Sequence, residues 1–126
     1  MRRNPKRSMV DTRGSRLAFG SFGLKATTEA RVRSNQVEAA RKAIAHLLGK
    51  NGKTWVRIFP DMPFTQKPAE VKMGKGKGEP AGYQIQVWPG RIMFEVDGIE
   101  EVTAREALRK AGTKLPVKTK IVSRAR

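Results

Sequence analysis

Cysteine is absent from all 126 residues. That excludes disulfides and any zinc site built on thiolates, and it suits a reducing compartment. Histidine occurs once, at His46; with no second imidazole and no thiol, no metal site is expected there. Acidic residues are scarce, 11 Asp and Glu against 27 Lys and Arg. No carboxylates fall at the spacing of a general acid and base, and no Ser/His/Asp set or thiol nucleophile can be assembled, so an enzyme is not expected. No apolar run approaches the roughly 18 residues of a membrane span. The first sixteen residues lack the apolar core of a secretory leader, although an Arg-rich, acid-poor start leaves an organellar home open.

What is present is positive charge. The formal net charge is +16 and the pI is near 11.2, far beyond what solubility needs, which implies a polyanionic partner. Nucleic acid leads and an anionic membrane surface comes second. Residues 1–16 carry Arg2, Arg3, Lys6, Arg7, Arg13 and Arg16 against the single acid Asp11. With no hydrophobic period, this arm is expected to order only against a polyanion. A second cationic stretch, Lys72-Met73-Gly74-Lys75-Gly76-Lys77-Gly78, alternates glycine with lysine between Pro68 and Pro80. Glycine permits close backbone approach and lysine supplies charge, a combination suited to phosphate. A solvated connection is the competing reading. Neither the Walker pattern nor G-x-G-x-x-G fits, since the sixth position from Gly74 is Glu79, so a mononucleotide cradle is not expected.

The remainder reads as alternating elements. Phe19-Gly20-Ser21-Phe22-Gly23 suggests an extended segment passing close to another backbone, with both aromatics packed in the core. Ser34 or Asn35 can cap a helix, and Asn35 followed by Glu38 resembles a capping box. Val37, Ala40, Ile44, Leu47 and Leu48 then form one helical stripe, ended by Gly49, with Arg41, Lys42 and His46 on the other face. Thr54–Pro60 alternates as a strand that turns Val56 and Ile58 inward and leaves Arg57 free for a ligand. Tyr83–Val96 reads as a hairpin closed by Pro89-Gly90. Ile99–Ala111 reads as a second helix buried through Val102, Ala104, Ala107, Leu108 and Ala111, and Pro116–Val122 as a final strand carrying Lys118 and Lys120.

Several of these segments, taken in order, resemble one family. Phe19–Ala26, Gln36-Val37-Glu38-Ala39-Ala40-Arg41, Val56-Arg57-Ile58-Phe59-Pro60-Asp61, Lys67-Pro68, Met73–Gly78, Phe94-Glu95-Val96-Asp97-Gly98 and Lys114–Lys120 are similar to bacterial-type ribosomal protein L-sixteen over roughly residues 17 to 122. The resemblance implies an α+β fold: a mixed, largely antiparallel sheet with two helices packed on it, as one domain over 17–126, with a basic arm over 1–16 and a protruding loop over 72–82. It implies a structural constituent of the large ribosomal subunit that binds 23S rRNA near the A-site side of the peptidyl transferase centre. It also implies contact with A-site tRNA, with P-site tRNA and neighbouring large-subunit proteins as further partners, and neither cofactor nor membrane. The glycine-lysine loop, Met73 to Gly78, reaches toward tRNA in that family. With the arm residues named above, Lys25, Arg57, Lys72, Lys118 and Lys120 complete the expected RNA-binding set. Lys72 stands where the family usually has Arg, which keeps the charge and loses the planar fork. A free-standing regulatory or chaperone-like RNA-binding module is the alternative.

Overall fold

The computed structural model describes residues 16–64 and 82–124. The arm up to residue 15 and the segment 65–81, which holds the glycine-lysine stretch, lie outside the described residues. The elements in chain order are β1 (Phe22–Ala26), β2 (Ala30–Arg33), α1 (Ser34–Leu48), β3 (Lys53–Val56), β4 (Met62–Phe64), β5 (Gly82–Val87), β6 (Ile92–Asp97), α2 (Glu101–Gly112) and β7 (Thr119–Ser123).

The class is α+β as expected, but the strands form two sheets rather than one mixed sheet. The first has the order β3-β6-β1-β7 and the second β2-β5-β4, and every pairing is antiparallel. The expected 83–96 hairpin is therefore wrong: β5 and β6 are joined by a turn yet belong to different sheets. The turn signal itself is real. Gly90 has φ 97° and the Arg91 N–H donates to the Trp88 carbonyl at 3.2 Å. That turn is clamped on the end of β1, where the Gly90 N–H donates to the Ala26 carbonyl at 2.7 Å. The chain thus leaves it beside β1. β6 is an almost continuously buried run, which needs a partner on each side, and it finds them in β1 and β3.

One face of the first sheet meets the helices. Leu24, Phe94 and Val56 stand in register across β1, β6 and β3, and they pack in one cluster with Ile44, Ala104, Ala107, Leu108 and Ala111. Three alanines on one face let α2 lie close to α1 and to the sheet. Val102, expected on that face, is 76% exposed. It precedes Ala104 by two residues, which turns it well away from the buried stripe. Leu47 is only partly buried, whereas Ile44 is completely enclosed. The cap of α1 is Arg33, one residue before Ser34 and two before Asn35: the Arg33 N–H donates to Gln36 Oε1 at 2.8 Å, while Glu38 pairs with Arg41 instead. β3 stops at Val56, earlier than expected, though Ile58 is buried as expected. β7 starts at Thr119, three residues after Pro116, which has no N–H to give a ladder.

The close passage expected from the Phe19–Gly23 composition is present. A Cβ at Gly20 would lie 2.5 Å from the Val96 carbonyl oxygen, so only glycine lets the chain run this near to β6.

Ile44→Ala should lower unfolding free energy by about 2–5 kcal/mol, the cost of a cavity at a closed site. Leu47→Ala should cost less, and Val102→Ala should stay within about 0.5 kcal/mol. Urea melts of the three variants check this ranking; an equal loss at Val102 would contradict the orientation of α2.

Candidate nucleic-acid interface

Of the residues expected to meet RNA, Arg16, Lys25, Arg57, Lys118 and Lys120 fall among the described residues. Arg2, Arg3, Lys6, Arg7, Arg13 and the stretch from Lys72 to Gly78 lie outside them. The described five divide into two groups with different surroundings.

Lys118 and Lys120 are exposed at the rim of the first sheet, and Lys25, half-buried, lies beside them on the inner strand β1. Lys25 and Lys120 are directly opposite each other across β1 and β7, and β7 is the outer strand. Like charges so placed repel, and among the described residues neither makes an ion pair. The backbone that carries Lys118 is fixed: its N–H donates to Thr28 Oγ1 at 2.9 Å, and its carbonyl accepts from the Thr27 N–H at 2.8 Å. Rigid backbone, free ammonium groups and mutual repulsion make an edge that gains from an anion.

Arg57 and Arg16 form the second group, and their centre is a residue that the sequence reading did not single out. Glu95 lies in the middle of β6 and is completely buried. One carboxylate oxygen, Oε1, accepts from the N–H groups of Phe19 at 2.8 Å and Gly20 at 2.6 Å. Oε2 accepts from the Ala18 N–H at 3.0 Å and from Arg57 Nη1 at 2.6 Å. Three successive backbone donors make a concave anion site, here filled by the protein's own carboxylate. The same Arg57 nitrogen donates to the Arg16 carbonyl at 2.9 Å. Arg57 is thus engaged in holding the chain at Arg16, where the basic arm begins, and its side chain is 20% exposed. Phe19, expected in the core, lies outside it at 55% exposure. Its ring is stacked on Trp55 at 5.7 Å, because Trp55 is in register with Glu95 on the sheet face that the helices leave open.

Burial pushes the Glu95 carboxyl up, but the N–H groups of Gly20, Ala18 and Phe19 and the Arg57 guanidinium pull it down further, so it ends below its ordinary value. A single Glu in the apolar run Ile92-Met93-Phe94-Glu95-Val96 is a legible signal that a buried partner exists; which partner is not legible.

The helices carry charge differently. Arg41, Arg105 and Arg109 pair with Glu38, Glu101 and Glu106 on exposed surfaces, where such pairs contribute little. Between the helices a groove of about 430 Å³ is lined by Lys42, His46, Lys110 and Lys114 over Ala43 and Leu47, with no acid in its wall. No group of metal-binding side chains occurs among the described residues, and no helix there is long and apolar enough to cross a membrane.

A basic surface without catalytic groups fits many RNA-binding proteins; comparison with known proteins narrows the choice. The family model for ribosomal protein L16p/L10e matches residues 1–122. The chain belongs to that family. It is 53% identical over 117 residues to the large ribosomal subunit protein uL16 of Halorhodospira halophila, covering 93% of this chain and 85% of that one. It is 56% identical over 111 residues to uL16 of Rickettsia massiliae, covering 88% and 82%. It is 52% identical over 115 residues to uL16 of a Polaromonas species, covering 91% and 83%. The L16p/L10e match begins at residue 1, so it includes the basic arm as well as the folded part. A ribosomal family of this kind is structural and not enzymatic.

Glu95→Gln should destabilise the protein by about 3 kcal/mol at neutral pH, since it breaks a buried charge pair and turns an amide donor toward backbone N–H groups. The folded carboxyl is depressed, so its stabilisation is fully present above the unfolded value of about 4.3 and is lost as pH falls through the lower folded value. Urea unfolding at pH 7 and below pH 4 checks both points: the Gln variant should lose less stability on acidification than the parent.

Proposed function

We propose that this chain binds 23S rRNA on the A-site side of the peptidyl transferase centre and helps to position tRNA there. The coarser part follows from family membership: the chain is a structural constituent of the bacterial-type large ribosomal subunit in the cytoplasm and associates with rRNA and ribosomal proteins. The observation that carries the finer reading is the family match across residues 1–122, which takes in both the arm and the Met73–Gly78 sequence. The charge distribution supports it, because exposed Lys118 and Lys120 at the β7 rim, and half-buried Lys25 beside them, have no ion-pair partner among the described residues. Edge lysines also discourage strand-to-strand aggregation, but that role does not require the excess of +16.

In this reading Lys25, Lys118 and Lys120, with the arm residues from Arg2 to Arg16, neutralise rRNA phosphates. Arg57 acts by holding the root of the arm. Lys72, Lys75 and Lys77 meet tRNA, while Gly74, Gly76 and Gly78 let the backbone come close. A-site tRNA is the main tRNA partner, with P-site tRNA a further one. Membership in a ribosomal family favours this over a free-standing RNA-binding module.

Two sets of variants separate the roles. Lys75 and Lys77 changed together to Ala should leave folding within about 0.5 kcal/mol and spare subunit assembly. A-site tRNA affinity should fall, and its salt dependence should flatten by up to about two charges' worth. Gly76→Val keeps the charge and should still weaken tRNA binding. Changing Lys118 and Lys120 to Ala should instead weaken binding to 23S rRNA. The measurement is affinity over a salt series on ribosomes carrying each variant; wild-type tRNA affinity and slope in the double Ala variant would show that the stretch is only a connection.

A further inference from the structure

The second sheet has one face that the RNA-binding set above does not use. In β2, Arg31 and Arg33 alternate with buried Val32. Register places Arg31 beside Gln86 and Arg33 beside Gln84. Across β5, Gln84 is followed by Met62 and Gly82 by Phe64. Cross-strand partners share a face, so Arg31, Arg33, Gln84, Gln86, Met62 and Phe64 all look the same way. Among the described residues no acid lies on that face.

The two arginines are not loose surface cations. The Arg33 guanidinium lies over the Phe64 ring at 4.5 Å from its centroid. The ring is fixed from below, since a Cβ at Gly82 would meet its Cε1 and Cζ at 3.3 and 3.4 Å. Arg33 is also the residue from which α1 starts, with its own N–H held by Gln36. Arg31 Nε donates to Gln86 Oε1 at 3.4 Å, which aims the rest of its fork outward. None of the arginines so held has an ion-pair partner among the described residues. A guanidinium has two flat faces, and the aromatic ring covers one. The other is a planar cationic surface on an exposed residue, with a second guanidinium fork two residues away and amides of Gln beside both.

We propose that this face receives one unpaired nucleotide of RNA. The base stacks on the open side of the Arg33 guanidinium, and its phosphate is met by Arg31. The chemistry chooses an unpaired nucleotide over a duplex, because duplex bases offer no free face while a splayed base does. It also chooses arginine over lysine, since an ammonium group gives charge without a plane. The strands β4 and β5 that build the face flank segment 65–81 in the chain.

The inference rests on the RNA-binding reading above, and the test separates the two. Wild-type protein, Arg33→Lys, Arg33→Ala and Phe64→Leu are each bound to 23S rRNA over a salt series, with base-specific chemical probing of the complexes and thermal melts as a folding control. The proposal expects Arg33→Lys to lose about tenfold in affinity, as removal of one stacked base does, while the salt slope stays at the wild-type value. It expects one unpaired nucleotide to lose its protection while the rest of the footprint remains, and Phe64→Leu to show the same change more weakly. Wild-type affinity and footprint in Arg33→Lys would overturn this contact and leave the proposed function standing. Loss in Arg33→Ala alone, with only one charge's worth of slope, would also overturn it, because the contact would then be a simple phosphate pair. Failure of the wild-type protein to bind 23S rRNA would overturn the proposed function, and this contact with it.

Discussion

A carboxylate in the centre of a sheet has to be satisfied completely or the sheet does not form around it. Glu95 meets that condition with three consecutive N–H groups and one guanidinium, and much of the remaining architecture is a consequence. The N–H groups can reach it only if residues 18–20 lie flat against β6, and that requires glycine at position 20. The guanidinium can reach it only if Arg57 turns inward where β3 ends, which places Arg57 over the Phe19 ring at 5.7 Å. Phe19 then has Trp55 to stack on. A buried charge therefore fixes residues 16–20 against the face of the sheet that the helices leave open. Such a group adds little net stability compared with an apolar replacement, but it defines one arrangement, because any other leaves a charge unpaired.

The same logic separates the cations. Those on the outer faces of α1 and α2 are answered within three or four residues by Glu38, Glu101 and Glu106. Lys118 and Lys120 on the sheet rim make no ion pair among the described residues, whereas Lys42 and Lys110 in the interhelical groove feel Glu38 and Glu106 without closing a salt bridge to them. Among the described residues the charge is not uniform: the helices are largely self-neutralised, and cations without an ion pair lie at strand edges and in the interhelical groove. RNA binding through phosphates needs this kind of unneutralised charge on a rigid frame.

How much of this could be read from the sequence depended on range. The stripe Val37, Ala40, Ile44, Leu48 is a local, periodic signal, and with the cap residues it placed the start of α1 to within two residues. The turn at Pro89-Gly90 is also local, and the chain does turn there. What failed was the partner: turn residues say that the chain bends, and only burial on both faces of Ile92–Val96 assigns β6 to β1 and β3. Phe19 was expected inside because aromatics usually are; the Glu95 clamp that holds it outside involves residues 76 positions away. Val102 was placed by small-residue similarity to its neighbours rather than by helical angle. Arg31 and Arg33 were legible in principle, since Ala30-Arg31-Val32-Arg33 alternates with period two. Their common face with Gln84 and Phe64 comes from strand pairing, which no local pattern states. The family resemblance was recognisable because its motifs recur in order along most of the chain, whatever their tertiary neighbours.

Hydrogen exchange at the amides of Ala18, Phe19 and Gly20 tests the central role of the Glu95 carboxylate most directly, since no regular ladder protects these three. At neutral pH they should be protected to a degree comparable with the amides of β6. As pH falls through the depressed value of the carboxyl, their protection should collapse while that of β6 persists. Exchange of these amides at solvent-like rates at neutral pH would contradict the account, because the carboxylate would then not be holding the root of the arm.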